Sequence, residues 1–159
     1  MGITVGITGH TNGFGKHISA KCKEVGYTVE GFSRTNGYDL LFNADAIFET
    51  KFDVIVNNTE AGNAQVNICL LANRKKIPCI NIGSAITEAK VIKEEYIIKK
   101  QNKLALRNIS TTLNQKYLTW GFLQDHELTK DNPNLITETT LEEAVQEVIN
   151  ELASLQHNV

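Results

Sequence analysis

Tyr96 and Lys100 stand four residues apart, a spacing that puts both side chains on one face of a helix. A free phenol ionises near pH ~10, and an ammonium group beside it lowers that value toward neutrality, as a tyrosine needs if it is to give or take a proton. Twelve residues before Tyr96, Ser84 follows the strand-like run Cys79–Gly83, and a hydroxyl at a strand's carboxyl end is placed to meet a bound oxygen. A second group of informative residues opens the chain: Ile7-Thr8-Gly9-His10-Thr11-Asn12-Gly13-Phe14-Gly15-Lys16. Gly9 permits a tight turn, Gly13 leaves no Cβ between backbone and phosphates, and Gly15 lets the next helix pack close, its free N–H groups facing an anion. Thr11, Asn12 and Phe14 occupy the loop between these glycines and are expected to touch the same ligand, a dinucleotide pyrophosphate.

Those residues need elements to hold them, and the hydrophobic pattern supplies an alternating series. Strands are expected at Ile3–Ile7, Thr28–Ser33, Asp53–Asn57 and Cys79–Gly83, with helices over Phe14 to Val25, Ala44–Thr50 and Ala64–Arg74 between them. Such alternation implies parallel βαβ units with right-handed crossovers. A long helical region follows from Ile86 to Leu113, then a strand over Tyr117–Phe122, a polar loop to Ile136 and a closing helix. That last helix has the clearest signature, a Thr140-x-x-Glu143 capping box ahead of an apolar stripe through Leu141, Ala144, Val145, Val148, Ile149, Leu152 and Leu155.

A chain of 159 residues with 42% hydrophobic content is long enough for one compact domain, residues 1–159, and too short for two. The net charge of -2 and the scattered basic residues argue against a nucleic-acid partner. Cys22, Cys69 and Cys79 lack metal-ligand spacing and read as reduced core residues, which makes a cytoplasmic location the expectation. No apolar run is long enough for a bilayer, and Met1 leads into the first strand without room for a leader, so neither membrane nor export is expected. Asp125, His126 and Glu127 do not form a convincing metal set, and no metal is expected.

Several of these pieces, in order, resemble the short-chain dehydrogenase/reductase family. Thr8-Gly9-x-x-x-Gly13-x-Gly15 is similar to its cofactor fingerprint, and Asn57-Asn58-Thr59-Glu60-Ala61-Gly62 to its Asn-Asn-Ala-Gly motif. Cys79-Ile80-Asn81-Ile82-Gly83-Ser84 resembles the strand leading to the family's serine, and Tyr96-x-x-x-Lys100 its tyrosine and lysine. The resemblance implies a Rossmann-like doubly wound parallel sheet in three αβα layers, a nicotinamide cofactor, and interconversion of a carbonyl and an alcohol on a small molecule. It further implies Tyr96 as acid/base, Lys100 as its tuning cation and ribose ligand, Ser84 on the substrate oxygen, and Asn67 as the helical asparagine of a proton relay. Asn57, Asn58 and Gly121 would contact the cofactor, and the chain would form a homodimer or homotetramer.

Some features depart from that pattern. Only twenty-seven residues separate Asn57 from Ser84, the Asn-Asn motif is followed by Thr59-Glu60, and Trp120-Gly121 stands where Pro-Gly is usual. Lys103-Leu104-Ala105-Leu106 also resembles the sequence that begins at the family's lysine, and in that register Lys99 takes the tyrosine position. The chain then reads either as a truncated reductase or as a catalytically silent nucleotide-binding module. For the nucleotide, the second strand runs into Ser33-Arg34-Thr35 with no carboxylate at its end. Hydroxyls and a guanidinium there favour the 2′-phosphate of NADP over NAD, with Asp39 a candidate for the adenine edge.

Overall fold

The computed structural model describes residues 2–122 and 126–157. Among these residues five strands lie parallel in one sheet: β1 (Thr4–Thr8), β2 (Thr28–Phe32), β3 (Val54–Asn57), β4 (Cys79–Ile82) and β5 (Lys116–Leu118). Their spatial order is β2-β1-β3-β4-β5, and every pairing is parallel, with Val5 opposite both Val29 and Val54, and Asn57 opposite Asn81. Among the described residues the α-helices are α1 (Gly13–Glu24), α2 (Ala64–Arg74), α3 (Ile97–Thr112) and α4 (Leu141–His157). Alternation along the strands sends side chains to two layers. Val5, Ile7, Val54, Val56, Ile80 and Ile82 pack with Ile18 and Cys22 of α1 and with Val145, Val148, Ile149 and Leu152 of α4. On the other face Phe32, Ile55 and Cys79 meet Ile47 and the α2 residues Ala64, Ile68 and Ala72. A sheet covered on both faces must be apolar on both, so the strands read as near-continuous hydrophobic runs. The predicted doubly wound α/β architecture is the one observed.

The predicted elements of the amino-terminal half recur within a residue or two at each end. The long helix expected from Ile86 to Leu113 is instead broken. A 3-10 turn at Ala85–Glu88 is followed by extended backbone at Ala89, a second 3-10 turn at Glu94–Tyr96, and only then α3. Asn132, 4% exposed, explains the break. Its Oδ1 accepts from Lys90 N (3.1 Å) and Val91 N (3.3 Å), and its Nδ2 donates to Val91 O (2.7 Å) and Leu128 O (3.0 Å). One amide from a distant loop thus satisfies backbone groups that would otherwise need helical partners. The strand expected over Tyr117–Phe122 stops at Leu118, and Phe122 instead bridges Ile136. Gly121 makes that approach feasible, since a Cβ there would lie 2.3 Å from Leu135 O.

Between β2 and β3 the chain forms only short 3-10 turns, at Arg34–Asn36 and Ala44–Glu49, so β2 is the edge of the sheet. The interval from Asn57 to Ser84 holds one helix and one strand, α2 and β4. The capping box of α4 forms as predicted: Thr140 N donates to Glu143 Oε1 and Glu143 N to Thr140 Oγ1, both at 3.1 Å. Cys22, Cys69 and Cys79 are free and buried, and burial pushes the thiols of Cys22 and Cys69 up to about 11. No helix among the described residues is long and apolar enough to cross a membrane.

Candidate functional site

The carboxyl ends of β1, β2 and β3 enclose a cleft of about 770 Å³ lined by Gly9, Asn12, Arg34, Asp39, Asn58 and neighbouring residues. The glycine turn forms its floor. Gly9 has φ +68°, a left-handed conformation that favours glycine, and its N–H donates to Phe32 O at 2.8 Å. Gly15 is needed for a different reason, because a Cβ there would stand 2.1 Å from Gly9 O. At Gly13, with φ +52°, a Cβ would meet nothing within 4 Å, which leaves open space in front of the turn. Asn12 caps α1 with extended backbone and no side-chain bond, and the first turn carries no acid. The amides of Gly13, Phe14 and Gly15 precede the first intrahelical bond, Lys16 N to Asn12 O at 3.2 Å. Unpaired amides at the positive end of a helix dipole suit an anion.

Thr8 fastens this turn to the next loop: its buried Oγ1 accepts from Asn58 N (2.9 Å) and Thr59 N (3.0 Å). Thr59 Oγ1 is buried beside Gly9 without a hydrogen-bond partner among the described residues. These features, an uncapped helix start, open space at Gly13 and an orphaned hydroxyl, fit a bound diphosphate. Across the cleft the chain leaves β2 through Ser33, Arg34 and Thr35. Ser33 Oγ and Thr35 Oγ1 lie 2.6 Å apart, and Asn36 steadies the turn by accepting from Ser33 N and donating to Gly31 O. Arg34 is exposed and lines the cleft.

Phe14, Asn58 and Glu60 border both this cleft and a second one, of about 430 Å³, at the carboxyl end of β4. Gly83, Ser84, Lys99, Trp120, Gly121 and His126 are among the residues lining the second cleft. Ser84 caps the turn after β4, its Oγ accepting from Ile86 N at 3.2 Å, which leaves its proton available for a further bond. Gly83 makes room beneath it for Tyr117, whose ring a Cβ would approach to 2.1 Å.

The expected catalytic residues do not all converge here. Tyr96 ends the 3-10 turn before α3 and packs against Ala85, Ile86, Ala89, Phe122 and Leu128, its ring 6.4 Å from that of His126. Lys100 Nζ donates to Ala89 O at 2.6 Å. Neither is among the residues lining the two clefts. Asn67 lies on the exposed side of α2 near Phe42 and Leu70. Asn57 is fully buried, and its Nδ2 donates to Gln65 O (2.7 Å) and Asn81 Oδ1 (2.9 Å). Asp125 lies outside the described residues.

The lysine that lines the second cleft is Lys99, and one turn along α3 lies the buried Lys103. Its side chain is 3% exposed, and Nζ meets Gln65 Oε1 at 2.6 Å, Ile82 O at 3.0 Å and Glu60 Oε1 at 3.1 Å. Three acceptors use all three protons of an ammonium. Lys99 Nζ holds the other oxygen of the same carboxylate, Glu60 Oε2, at 3.0 Å. Burial pushes the Glu60 carboxyl up, but the two ammonium groups outweigh that and hold it below its usual range. Burial lowers the Lys103 ammonium, and Glu60 offsets part of the effect. Gln65 continues the network, donating to Asn57 O (2.8 Å) and Ile82 O (2.9 Å), and Asn81 carries it to Ser110 and Gln115. Thr8, Glu60, Gln65 and Lys103 were not among the residues assigned to the site from the sequence. Lys103 has a signal in the second lysine register, and Thr8 and Glu60 stand inside the fingerprint and the Asn-Asn motif; Gln65 has none.

No family model matches the chain, and no curated protein matches it. Solved structures do. A Streptococcus pneumoniae protein provisionally described as an NADH-flavin reductase superposes with a TM-score of 0.67 at 16% identity, over 96% of this chain and 94% of that one. A small-chain dehydrogenase gives 0.66 at 12% identity, over 94% and 89%. The Bordetella bronchiseptica enzyme WbmH, solved with NAD+, gives 0.55 at 14% identity, over 74% of this chain and 54% of that one. At these identities the likeness establishes the fold: the chain has the Rossmann-like architecture found in nicotinamide-nucleotide reductases and dehydrogenases.

Proposed function

We propose that this chain binds NADP(H) in the larger cleft and is an oxidoreductase that interconverts a carbonyl and an alcohol on a small molecule in the second. One observation carries the reading: the uncapped start of α1 and the open face of Gly13 adjoin a cleft of about 770 Å³ whose far side is Ser33, Arg34 and Thr35. The amides of Gly13, Phe14 and Gly15 hold the diphosphate, and Arg34 and Thr35 hold the 2′-phosphate in a strand-end position without a carboxylate. Asp39 borders the adenosine end, and Asn58 stands where the two clefts meet. When bound, the nicotinamide supplies or accepts hydride. Ser84 orients the reacting oxygen with its free proton, and Gly121 lets the cofactor-facing wall approach closely.

The position of Tyr96 inside an apolar cluster, away from both clefts, favours a second reading: a nucleotide-binding module without turnover. The two are separated by titrating NADPH and NADH by fluorescence and then assaying a carbonyl panel with wild type, Ser84→Ala and Tyr96→Phe. Tight NADPH binding weakened by Arg34→Ala, with turnover sensitive to Ser84→Ala, supports the reductase. Binding without turnover supports the silent module, and no binding of either nucleotide overturns both.

A further inference from the structure

We propose that the second cleft is built to take a planar aromatic anion, of which an aryl carboxylate is the simplest case. Two aromatic pairs form its walls. Phe14 and Trp120 meet edge to face, with centroids 5.2 Å apart and planes at 71°. Phe122 and His126 stack at 4.4 Å and 15°. Four rings around a space of about 430 Å³ offer flat faces and edges to a flat guest, and Ile82, Ala85 and Ala144 give it an apolar base.

Charge selects among flat guests. Two ammonium groups, Lys99 and Lys103, share the single carboxylate of Glu60, and Glu60 is the one acidic side chain lining the cleft among the described residues. The cluster therefore carries one net positive charge. Lys103 is spent on Gln65, Ile82 and Glu60. Lys99, 35% exposed, lines the cleft and has one polar contact among the described residues, to Glu60 Oε2 at 3.0 Å, which leaves two ammonium protons for a guest. Both Glu60 oxygens are covered by lysines, so an arriving anion meets the ammonium rather than a bare carboxylate. A charge-assisted hydrogen bond is about twice as strong as a neutral one, enough to prefer the anion over its uncharged isostere.

The inference deepens the proposed function by naming the class of molecule in its second cleft, and the two can fail separately. NADPH binding is followed by nucleotide fluorescence, whereas this site is probed by calorimetry with no nucleotide present. The probes are 2-naphthoate, its neutral isostere 2-naphthamide, and the non-aromatic cyclohexanecarboxylate. Wild type is expected to bind 2-naphthoate roughly tenfold more tightly than either comparison molecule, with Lys99→Met removing the preference for the acid and leaving the amide unchanged. Trp120→Leu should weaken both naphthyl probes together. Equal affinity of acid and amide on the unaltered chain overturns the inference without reference to any variant. So does the absence of 2-naphthoate binding at millimolar concentration, or a Lys99→Met protein that keeps full preference for the acid.

Discussion

The two clefts are built by different means. Around the glycine turn the backbone does the work: a left-handed Gly9, a close approach at Gly15 and unpaired amides at the start of α1. Around the second cleft side chains from distant segments do it, with Glu60 after β3, Gln65 on α2, Lys99 and Lys103 on α3, and Asn132 holding residues 90 and 91. Backbone geometry is written in contiguous glycines, and a side-chain network is assembled only when the fold closes. The first region is therefore sensitive to added atoms, and the second to lost partners.

The sharpest break in this contrast is expected at Gly15. Gly15→Ala brings a Cβ to 2.1 Å from the backbone carbonyl oxygen of Gly9, so it should cost about 3 kcal/mol in urea unfolding and abolish NADPH binding. Gly13→Ala, facing open space, should cost only ~1 kcal/mol, for its left-handed backbone. Similar losses at the two positions would contradict the assignment of steric need to one and conformational need to the other. In the second region, Asn132→Ala removes four hydrogen bonds to buried or half-buried backbone and should cost about 2 kcal/mol, read by the same denaturation. It should leave NADPH affinity unchanged.

Glu60→Gln sharpens the comparison through pH. The native Glu60 carboxyl lies below the ordinary glutamate value of 4.5, so its stabilisation is present above pH 4.5 and is lost as pH falls through the native value. Wild type should exceed Glu60→Gln in melting temperature at pH 7, and the gap should close on acidification below 4.5. A gap that persists at pH 2 would assign the effect to packing instead. Lys103 adds a slope on the alkaline side. Its lowered value means that the unfolded chain holds the extra proton, so stability rises with pH toward 10.5. The smallest effect is expected for Tyr96→Phe. With its ring inside an apolar cluster, the substitution should change NADPH affinity by less than roughly twofold. A large loss would return the phenol to the site.

These outcomes bear on what a sequence discloses. The strand–glycine–helix opening, the parallel alternation and the α4 capping box were legible because each is a local rule in consecutive residues. The Tyr96/Lys100 pairing is a local rule too, but it presumes an unbroken helix. Asn132, 42 and 41 residues downstream of Lys90 and Val91, interrupts that helix there, and α3 begins only at Ile97. Helical spacing then brings Lys99 and Lys103, not Tyr96 and Lys100, to Glu60. Nothing adjacent to Asn132 announces this role. Gln65 was equally silent, a polar residue at the start of an apolar helix whose partners come from β3, β4 and α3.

Asn57 and Asn81 face one another across β3 and β4, joined amide to amide inside the sheet. Because side chains alternate along a strand, sliding either strand by one residue would turn one amide into the hydrocarbon layer under α1 and α4 while the other stayed behind. Short apolar strands rich in valine and isoleucine have little else to distinguish one alignment from the next. The two asparagines act as a registration pin, making the misaligned sheet costly in a way that greasy contacts alone would not.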